Sequence, residues 1–302
     1  MVCFGNLYKS YGVAAAALRG VGCTVEAGEL FGLVGPDGAG KTTLLRILTT
    51  LVTADSGTAS VCGLDVVRDY KRIRACVGYM PGRFSLYQDL TVRENLHFFA
   101  SVFGVSVREN YHLVEDIYKP LEPFAGRRAG ALSGGMKQKL ALACALIHKP
   151  TVLFLDEPTT GVDPVSRKEF WEMLYRLKQQ GITILVSTPY MDEATRCDRI
   201  ALIRDGVFLT VDTPQQIIRQ FRETLWAVSG ERMSQLLHDL RSLPGIRSCF
   251  AFGSTHHITV DTTLLTLESL RDQLTALGHK HAIIMPIEAT IEDCFMELRV
   301  KN

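Results

Sequence analysis

The chain has 302 residues, with 33 Lys+Arg against 32 Asp+Glu, a formal charge of +1, 47% hydrophobic and 22% charged residues. That balance excludes an acidic disordered chain and a protein that grips nucleic acid by bulk positive charge. The length fits about two domains, each able to bury its own core.

No apolar run reaches the roughly 18–20 residues needed to cross a bilayer, and the opening MVCFGNLYKSYG has no basic segment leading into an apolar one. A cytoplasmic chain is therefore expected. Cys3, Cys23, Cys62, Cys76, Cys144, Cys197, Cys249 and Cys294 are scattered, without a C-x-x-C pair or clustering with histidine. They read as reduced, packed thiols, with no disulfide framework and no zinc site.

Residues 1 to about 80 read as short strands broken by glycines. Glu29–Val34 is an apolar strand, followed by a glycine-rich loop and a helix from Lys41 to about Leu51. From Leu86 to about Lys149 the periodicity becomes helical. Val92, Leu96, Phe99 and Phe103 share one helical face, and Thr91 with Glu94 has the spacing of a capping box. TVLFL at 151–155 is a buried strand that runs into two carboxylates. A helix at about 164–180 and a strand at 182–187 follow. Strands alternating with helices indicate an α/β domain around a largely parallel sheet.

A second unit begins near Phe221. Its order, β-α-β-β-α-β with a final helix at about 290–299, is the α+β ferredoxin-like pattern. His256, His257, His279 and His281 fall within it and read as solvated strand ends, because no acidic or cysteine partner shares their spacing.

Three segments carry chemistry. Gly35-Pro36-Asp37-Gly38-Ala39-Gly40-Lys41-Thr42, followed by Thr43, fits G-x-x-x-x-G-K-[ST] between a strand and a helix. Its glycines let backbone N–H groups form an anion cradle at a helix N-terminus. Lys41 would reach phosphate oxygens, and the Thr42 hydroxyl would take one position on Mg²⁺. Asp156, 115 residues beyond Lys41, ends the apolar strand and would hold the metal. Glu157 would polarise an attacking water. An acidic pair at a strand end is ordinarily a helix cap, and the P-loop upstream is what displaces that reading. Leu132-Ser133-Gly134-Gly135-Met136 opens another helix, with a hydroxyl and glycine amides suited to anionic oxygens.

The order P-loop, LSGG, LDEP resembles the ATP-binding-cassette (ABC) ATPases. The resemblance covers residues 2 to about 220 and implies a P-loop NTPase cassette. That cassette has a RecA-like core, an antiparallel β subdomain and a helical subdomain at about 86–149. Residues 221–302 would form the ferredoxin-like accessory domain. The resemblance further implies that the signature Leu132–Met136 closes over ATP held by the P-loop of a second cassette. It places a D-loop at Gly161-Val162-Asp163 and makes Tyr11 the aromatic that stacks on adenine. VGYMPGRFSLYQDLTVRENL and FLDEPTTGVDPVSRKEFW resemble drug-exporter ATPases, especially those carrying two unequal cassettes in one bacterial chain.

Two positions depart from that family. Gly82 stands where relatives carry the glutamine that contacts Mg²⁺ and the attacking water. Pro189 stands where they carry the histidine that bonds the γ-phosphate. The neighbouring Arg83 cannot accept a metal, and Pro189 has neither a side-chain donor nor a backbone N–H. The expectation is an ATPase subunit of an ABC exporter, using ATP and Mg²⁺ and clamping nucleotide with a second cassette, in a homo- or heterodimer. It would drive a separate membrane permease docked around residues 83–105, through Phe84, Leu86 and Tyr87, from the inner face of the membrane. No nucleic acid partner is expected. Its own site would bind MgATP and turn it over slowly. The alternatives are a soluble ABC ATPase without a permease and a regulatory ATP-binding module. The presence of one P-loop, and only 92 residues between Lys41 and Ser133, speak against paired-cassette translation factors and coiled-coil repair clamps.

Overall fold

Short apolar runs punctuated by glycine produce the strands of the first unit, Met1–Pro214. The computed structural model describes residues 1–12, 16–83 and 85–301, with side chains through Leu298. In chain order the elements are β1 (Val2–Lys9), β2 (Leu18–Val25), β3 (Leu30–Val34), α1 (Lys41–Leu48), β4 (Ser56–Val61), β5 (Leu64–Asp65), α2 (Tyr70–Cys76) and β6 (Val77–Met80). Next come α3 (Val92–Val102), α4 (Val107–Tyr118), α5 (Gly134–Leu146), β7 (Val152–Asp156), α6 (Pro164–Gln179), β8 (Thr183–Thr188), β9 (Arg199–Arg204) and β10 (Val207–Asp212).

Among the described residues, β2-β1-β4-β5 form one antiparallel sheet and β10-β9-β3-β8-β7-β6 a second. In the second sheet β9, β3, β8, β7 and β6 run parallel, and β10 closes the edge antiparallel. Every residue of β3, β7 and β8 is buried, as expected for central parallel strands covered on both faces. Each Leu, Val or Phe so buried contributes about 1.5–3 kcal/mol of transfer free energy.

Helix α1 packs Leu44, Leu45, Ile47 and Leu48 into this core. It stops at Leu48, earlier than periodicity suggests. Thr50 turns left-handed (φ 62°), while the Thr50 and Leu51 N–H groups donate to the Ile47 and Arg46 carbonyls. This is a Schellman closure with threonine in the usual glycine position. At α3 the capping box forms: the Thr91 hydroxyl accepts from Glu94 N–H at 3.2 Å, and the Glu94 carboxylate accepts from Thr91 N–H at 2.7 Å. Phe103 falls just past α3 and stacks on His148, with ring centroids 3.7 Å apart. The β9–β10 hairpin was not anticipated. Its signal was Asp205-Gly206, both at positive φ (48° and 76°), the pair a tight hairpin turn demands.

The second unit, Gln215–Asn302, takes most of α7 (Pro214–Gln220), then β11 (Thr224–Ser229), α8 (Met233–Ser242), β12 (Ile246–Phe252), β13 (Thr255–Val260), α9 (Leu267–Ala276), β14 (Ile283–Pro286) and α10 (Ile291–Lys301). Its antiparallel sheet has the order β12-β13-β11-β14, the ferredoxin-like arrangement. Leu236 and Leu240 of α8 and Leu270 and Leu274 of α9 pack with Trp226, Val228 and Ile258 as its core.

His281 is exposed, but the other three histidines are not solvated strand ends. His256 is buried with Nε2 2.7 Å from the Met233 carbonyl, His257 Nδ1 is 2.7 Å from Asp293, and His279 Nε2 is 2.8 Å from Asp239. The fold supplies acidic partners from 36 and 40 residues away, beyond the reach of local spacing. Among the described residues, no group of three or more His, Cys, Asp or Glu is placed to hold a metal, and no helix is long and apolar enough to cross a membrane. The cysteines are free thiols.

Candidate nucleotide site

The carboxyl ends of β3, β8 and β7 lie side by side, because β8 pairs with both: Val34 opposite Thr188, and Ser187 opposite Asp156. Loops leaving such adjacent parallel strands form the usual ligand crevice of open α/β sheets. The P-loop leaves β3 there. Gly35 N–H donates to the Thr188 carbonyl at 3.2 Å, and a Cβ at Gly35 would sit 2.1 Å from the Ile203 carbonyl. Gly40 has φ 105°, and a Cβ there would sit 2.4 Å from the Ala17 carbonyl. Only glycine fits at both positions. Pro36, Asp37 and Gly38 are exposed at the tip, Ala39 is buried, and α1 starts at Lys41 without a side-chain cap. Its first N–H groups, at Thr42 and Thr43, face the loop as an anion-binding terminus.

The Lys41 ammonium is buried and donates to the Gly35 carbonyl at 2.8 Å and the Pro36 carbonyl at 3.0 Å. It also lies 3.0 Å from Glu157 Oε1. Thr42 Oγ1 donates to Asp156 Oδ1 at 3.1 Å, and Ser187 Oγ donates to the same oxygen at 2.7 Å. The Asp156 charge, after burial, helps push the neighbouring Tyr79 phenol above its ordinary pKa. Glu157 has φ 50°, a left-handed conformation costly for a non-glycine residue, held by its N–H to Ser187 Oγ at 3.0 Å and to the Ser187 carbonyl at 3.1 Å. A threonine hydroxyl touching a carboxylate beside an anion cradle is a hard-oxygen set. It fits Mg²⁺, which takes one or two protein oxygens and completes its shell with phosphate and water.

The signature and the D-loop form a second cluster. Ser133 caps α5, its hydroxyl accepting from Met136 N–H at 3.4 Å, and Ser133 and Gly134 are exposed while Leu132 is buried. Asp163 caps α6, accepting from Val165 and Ser166 N–H at 3.1 and 3.0 Å, and the Ser166 bond leads in holding its carboxyl below the usual range. Gly135 backs onto Ser166, with a Cβ there falling 2.5 Å from Ser166 Oγ. Tyr11 is 46% exposed, with Lys9 Nζ 5.6 Å from its ring centroid.

Gly82 is exposed and lies against the acid strand: a Cβ there would sit 3.0 Å from the Asp156 carbonyl. Pro189 directly follows β8, so it stands one residue from the carbonyl that holds Gly35. The next N–H, of Tyr190, donates to Thr188 Oγ1 at 3.1 Å. Beyond Gly82 an apolar groove of about 350 Å³ opens, lined by Leu51, Met80, Leu86, Val102, Phe103 and Ala141 among others. Of the three residues expected as a docking patch, Phe84 lies outside the described residues. Leu86 is buried at 7% exposure and serves as a groove wall, not as a protruding contact. Tyr87 is exposed, edge-on to Phe98. Ser187, Thr188 and Ser166 escaped sequence reasoning. The polar pair ending the apolar run of β8 was the available signal for the first two.

The family model described as "ABC transporter" matches residues 18–160. The probable multidrug ABC transporter ATP-binding protein YbhF of Escherichia coli (strain K12) is 41% identical over 306 residues, covering 99% of this chain and 52% of that protein. The chain thus spans about half the length of that relative. Nod factor export ATP-binding protein I of Burkholderia lata is 44% identical over 218 residues, 71% of each chain. Among solved structures, an ATP-binding subunit of an ABC transporter superposes with TM-score 0.67 at 28% identity, covering 73% of this chain and 93% of its own. A dimeric ATP-binding cassette in a post-hydrolysis state bound to ADP and Pi gives TM-score 0.65 at 26% identity, covering 70% and 98%. With the P-loop, acid pair and signature where the geometry puts them, these likenesses establish that the chain belongs to the ATP-binding proteins of the ABC transporter family.

Proposed function

We propose that this chain is the ATP-binding motor subunit of an exporter, working with a second cassette and a separate membrane permease. One observation carries the reading: β3, β8 and β7 end together, which brings Lys41, Thr42, Asp156 and Glu157 into one constellation. In this reading Lys41 and the amides of Gly38–Thr43 hold the phosphates, and Tyr11 stacks on adenine. Thr42 and Asp156 hold Mg²⁺, which neutralises phosphate charge when bound. Glu157 leaves Lys41 and accepts a proton from the attacking water. Leu132–Met136 and Asp163, on a surface with exposed Ser133 and Gly134, complete the site of a partner cassette. The groove beside Gly82 receives an apolar element of the permease from the cytoplasmic side, so that changes at Asp156 reach it through the Gly82 segment. Exported drug-like compounds are the cargo class, a reading that rests on the name of the Escherichia coli relative.

Gly82 and Pro189 remove two groups that would contact the metal, the water and the γ-phosphate. The chain's own site therefore binds MgATP and hydrolyses it slowly. Losing one preorganised donor to developing charge costs about 10²–10³ in rate, roughly 2.7–4 kcal/mol. A second cassette with an intact site would then carry turnover, completed by this chain's signature.

The test is fluorescent-ATP titration and phosphate release by the purified chain, with size-exclusion chromatography with and without ATP. Saturable binding that Mg²⁺ strengthens, with slow release, is expected. Absence of ATP binding overturns the motor reading. Release at the roughly 1–10³ s⁻¹ of ordinary enzymes overturns the slow-site reading alone.

A further inference from the structure

We propose that Ser187 is a positioning residue that sets both acidic side chains of the nucleotide site. The proposal rests on the ATP-binding reading above. Ser187 is wholly buried, near the carboxyl end of β8 and opposite Asp156 in the parallel ladder. Its hydroxyl has one proton and two lone pairs, and both kinds of bond are used. It donates to Asp156 Oδ1 at 2.7 Å and accepts from Glu157 N–H at 3.0 Å.

The donated bond, with Thr42 Oγ1 at 3.1 Å on the same atom, occupies Oδ1 with two hydroxyls and fixes the rotation of the carboxylate. Its other oxygen is left to coordinate a hard cation. The accepted bond, beside the one to the Ser187 carbonyl at 3.1 Å, helps pin the peptide of Glu157 while that residue holds φ 50°, the conformation from which its carboxylate reaches Lys41. No other described hydroxyl bonds to both acidic residues. With Gly82 and Pro189 supplying no side-chain donor, Ser187 is what remains on this side of the site to orient its carboxylates. Ile184, Leu185 and Val186 are the apolar half of β8, and an apolar side chain at position 187 would leave Asp156 Oδ1 and the Glu157 N–H without this hydroxyl.

Groups that orient a metal ligand typically change metal affinity about 10–100-fold when removed. The test uses the full chain and fluorescent ATP, titrated first in EDTA and then with Mg²⁺ at fixed nucleotide. Ser187→Ala and Ser187→Cys, the second conserving volume with a weak donor, are expected to bind ATP in EDTA as the unmodified chain does. Both are expected to need about tenfold more Mg²⁺ for half-maximal effect. Ser187→Thr, which keeps the hydroxyl, is expected to stay within about threefold of the unmodified chain. Equal Mg²⁺ requirements in all four proteins overturn the proposal, and so does a Ser187→Thr that fails as badly as Ser187→Cys. If Ser187→Ala does not fold, the Cys–Thr comparison decides. Failure of the unmodified chain to bind ATP in either condition overturns the underlying ATP-binding reading instead.

Discussion

The Lys41 ammonium lies 3.0 Å from the Glu157 carboxylate in a position that leaves Lys41 only 3% exposed. In the proposed reading the cation that would hold phosphate is thus paired with the carboxylate that would polarise water, and two P-loop carbonyls accept further hydrogen bonds from it. In that reading an incoming triphosphate competes with these partners for Lys41. Lys41→Ala is expected to weaken ATP binding about 10–150-fold, from roughly 1.5–3 kcal/mol for hydrogen bonds to a charged group. Glu157→Gln removes the competing charge and is expected to tighten binding about threefold to tenfold, while phosphate release falls. Equilibrium titration of the three proteins checks this. Weaker binding by Glu157→Gln would show that the carboxylate supports the lysine's position instead of competing for it.

Restoring the two absent side chains should restore turnover. Gly82→Gln with Pro189→His is expected to raise kcat by at least about 10²-fold, with ATP affinity changed only a few-fold. The glutamine Cβ would meet the Asp156 carbonyl at 3.0 Å, so Gly82→Ala serves as the control for that contact. An unchanged kcat in the double variant, with Gly82→Ala melting normally, would place the limit elsewhere in the site.

Gly82 and Pro189 stand out in the sequence because the motifs around them are contiguous. The same holds for the P-loop, the capping box at Thr91 and the signature start at Ser133, each closed by residues within a few positions. Contacts across the parallel sheet were not visible. Ser187 meets Asp156 across 31 residues and an intervening helix, and Lys41 meets Glu157 across the whole stretch from α1 to the end of β7. Period and propensity carry no information on which strand becomes the neighbour of which. His257 and His279 are misread for the same reason: Asp293 and Asp239 reach them through sheet and helix packing. Leu86 shows the converse, since an apolar residue in a loop reads alike whether it protrudes or walls a groove.

The contact between Gly135 and Ser166 makes the signature sensitive to a single methyl. A Cβ at Gly135 would fall 2.5 Å from Ser166 Oγ and 2.8 Å from its Cβ, so rotating the hydroxyl alone cannot relieve the clash. Gly135→Ala is expected to cost about 1–3 kcal/mol, the usual range for overpacking. It is also expected to displace Ser133 relative to Asp163. Thermal unfolding should show a loss that Gly135→Ala with Ser166→Gly recovers in large part. An undisturbed melting temperature for the single variant would mean that α5 and α6 separate without cost.

Acid should act on the second unit through Asp261. Its carboxylate accepts from Thr263 Oγ1 at 2.6 Å and Thr263 N–H at 3.0 Å, and from Arg247 Nη2 at 2.9 Å. Arg247 also reaches Glu223 at 2.8 Å. The Thr263 hydroxyl first, and Arg247 next, hold the Asp261 pKa down at about 2. In the unfolded chain it returns to about 3.9. The folded value is the lower one, so the unfolded state binds the extra proton between these limits. The stabilisation is complete above about pH 4 and is lost as pH falls toward 2. Because the group lies partly exposed at the surface, solvent screens it and the effect is modest. The two tryptophans give a clean readout: Trp171 lies in the first unit and Trp226 in the core of the second. In a Trp171→Phe background, Trp226 fluorescence follows the second unit alone. Asp261→Asn should flatten the fall in its unfolding midpoint between pH 4 and pH 2. An acid limb equally steep with and without the substitution would assign the sensitivity to another carboxylate.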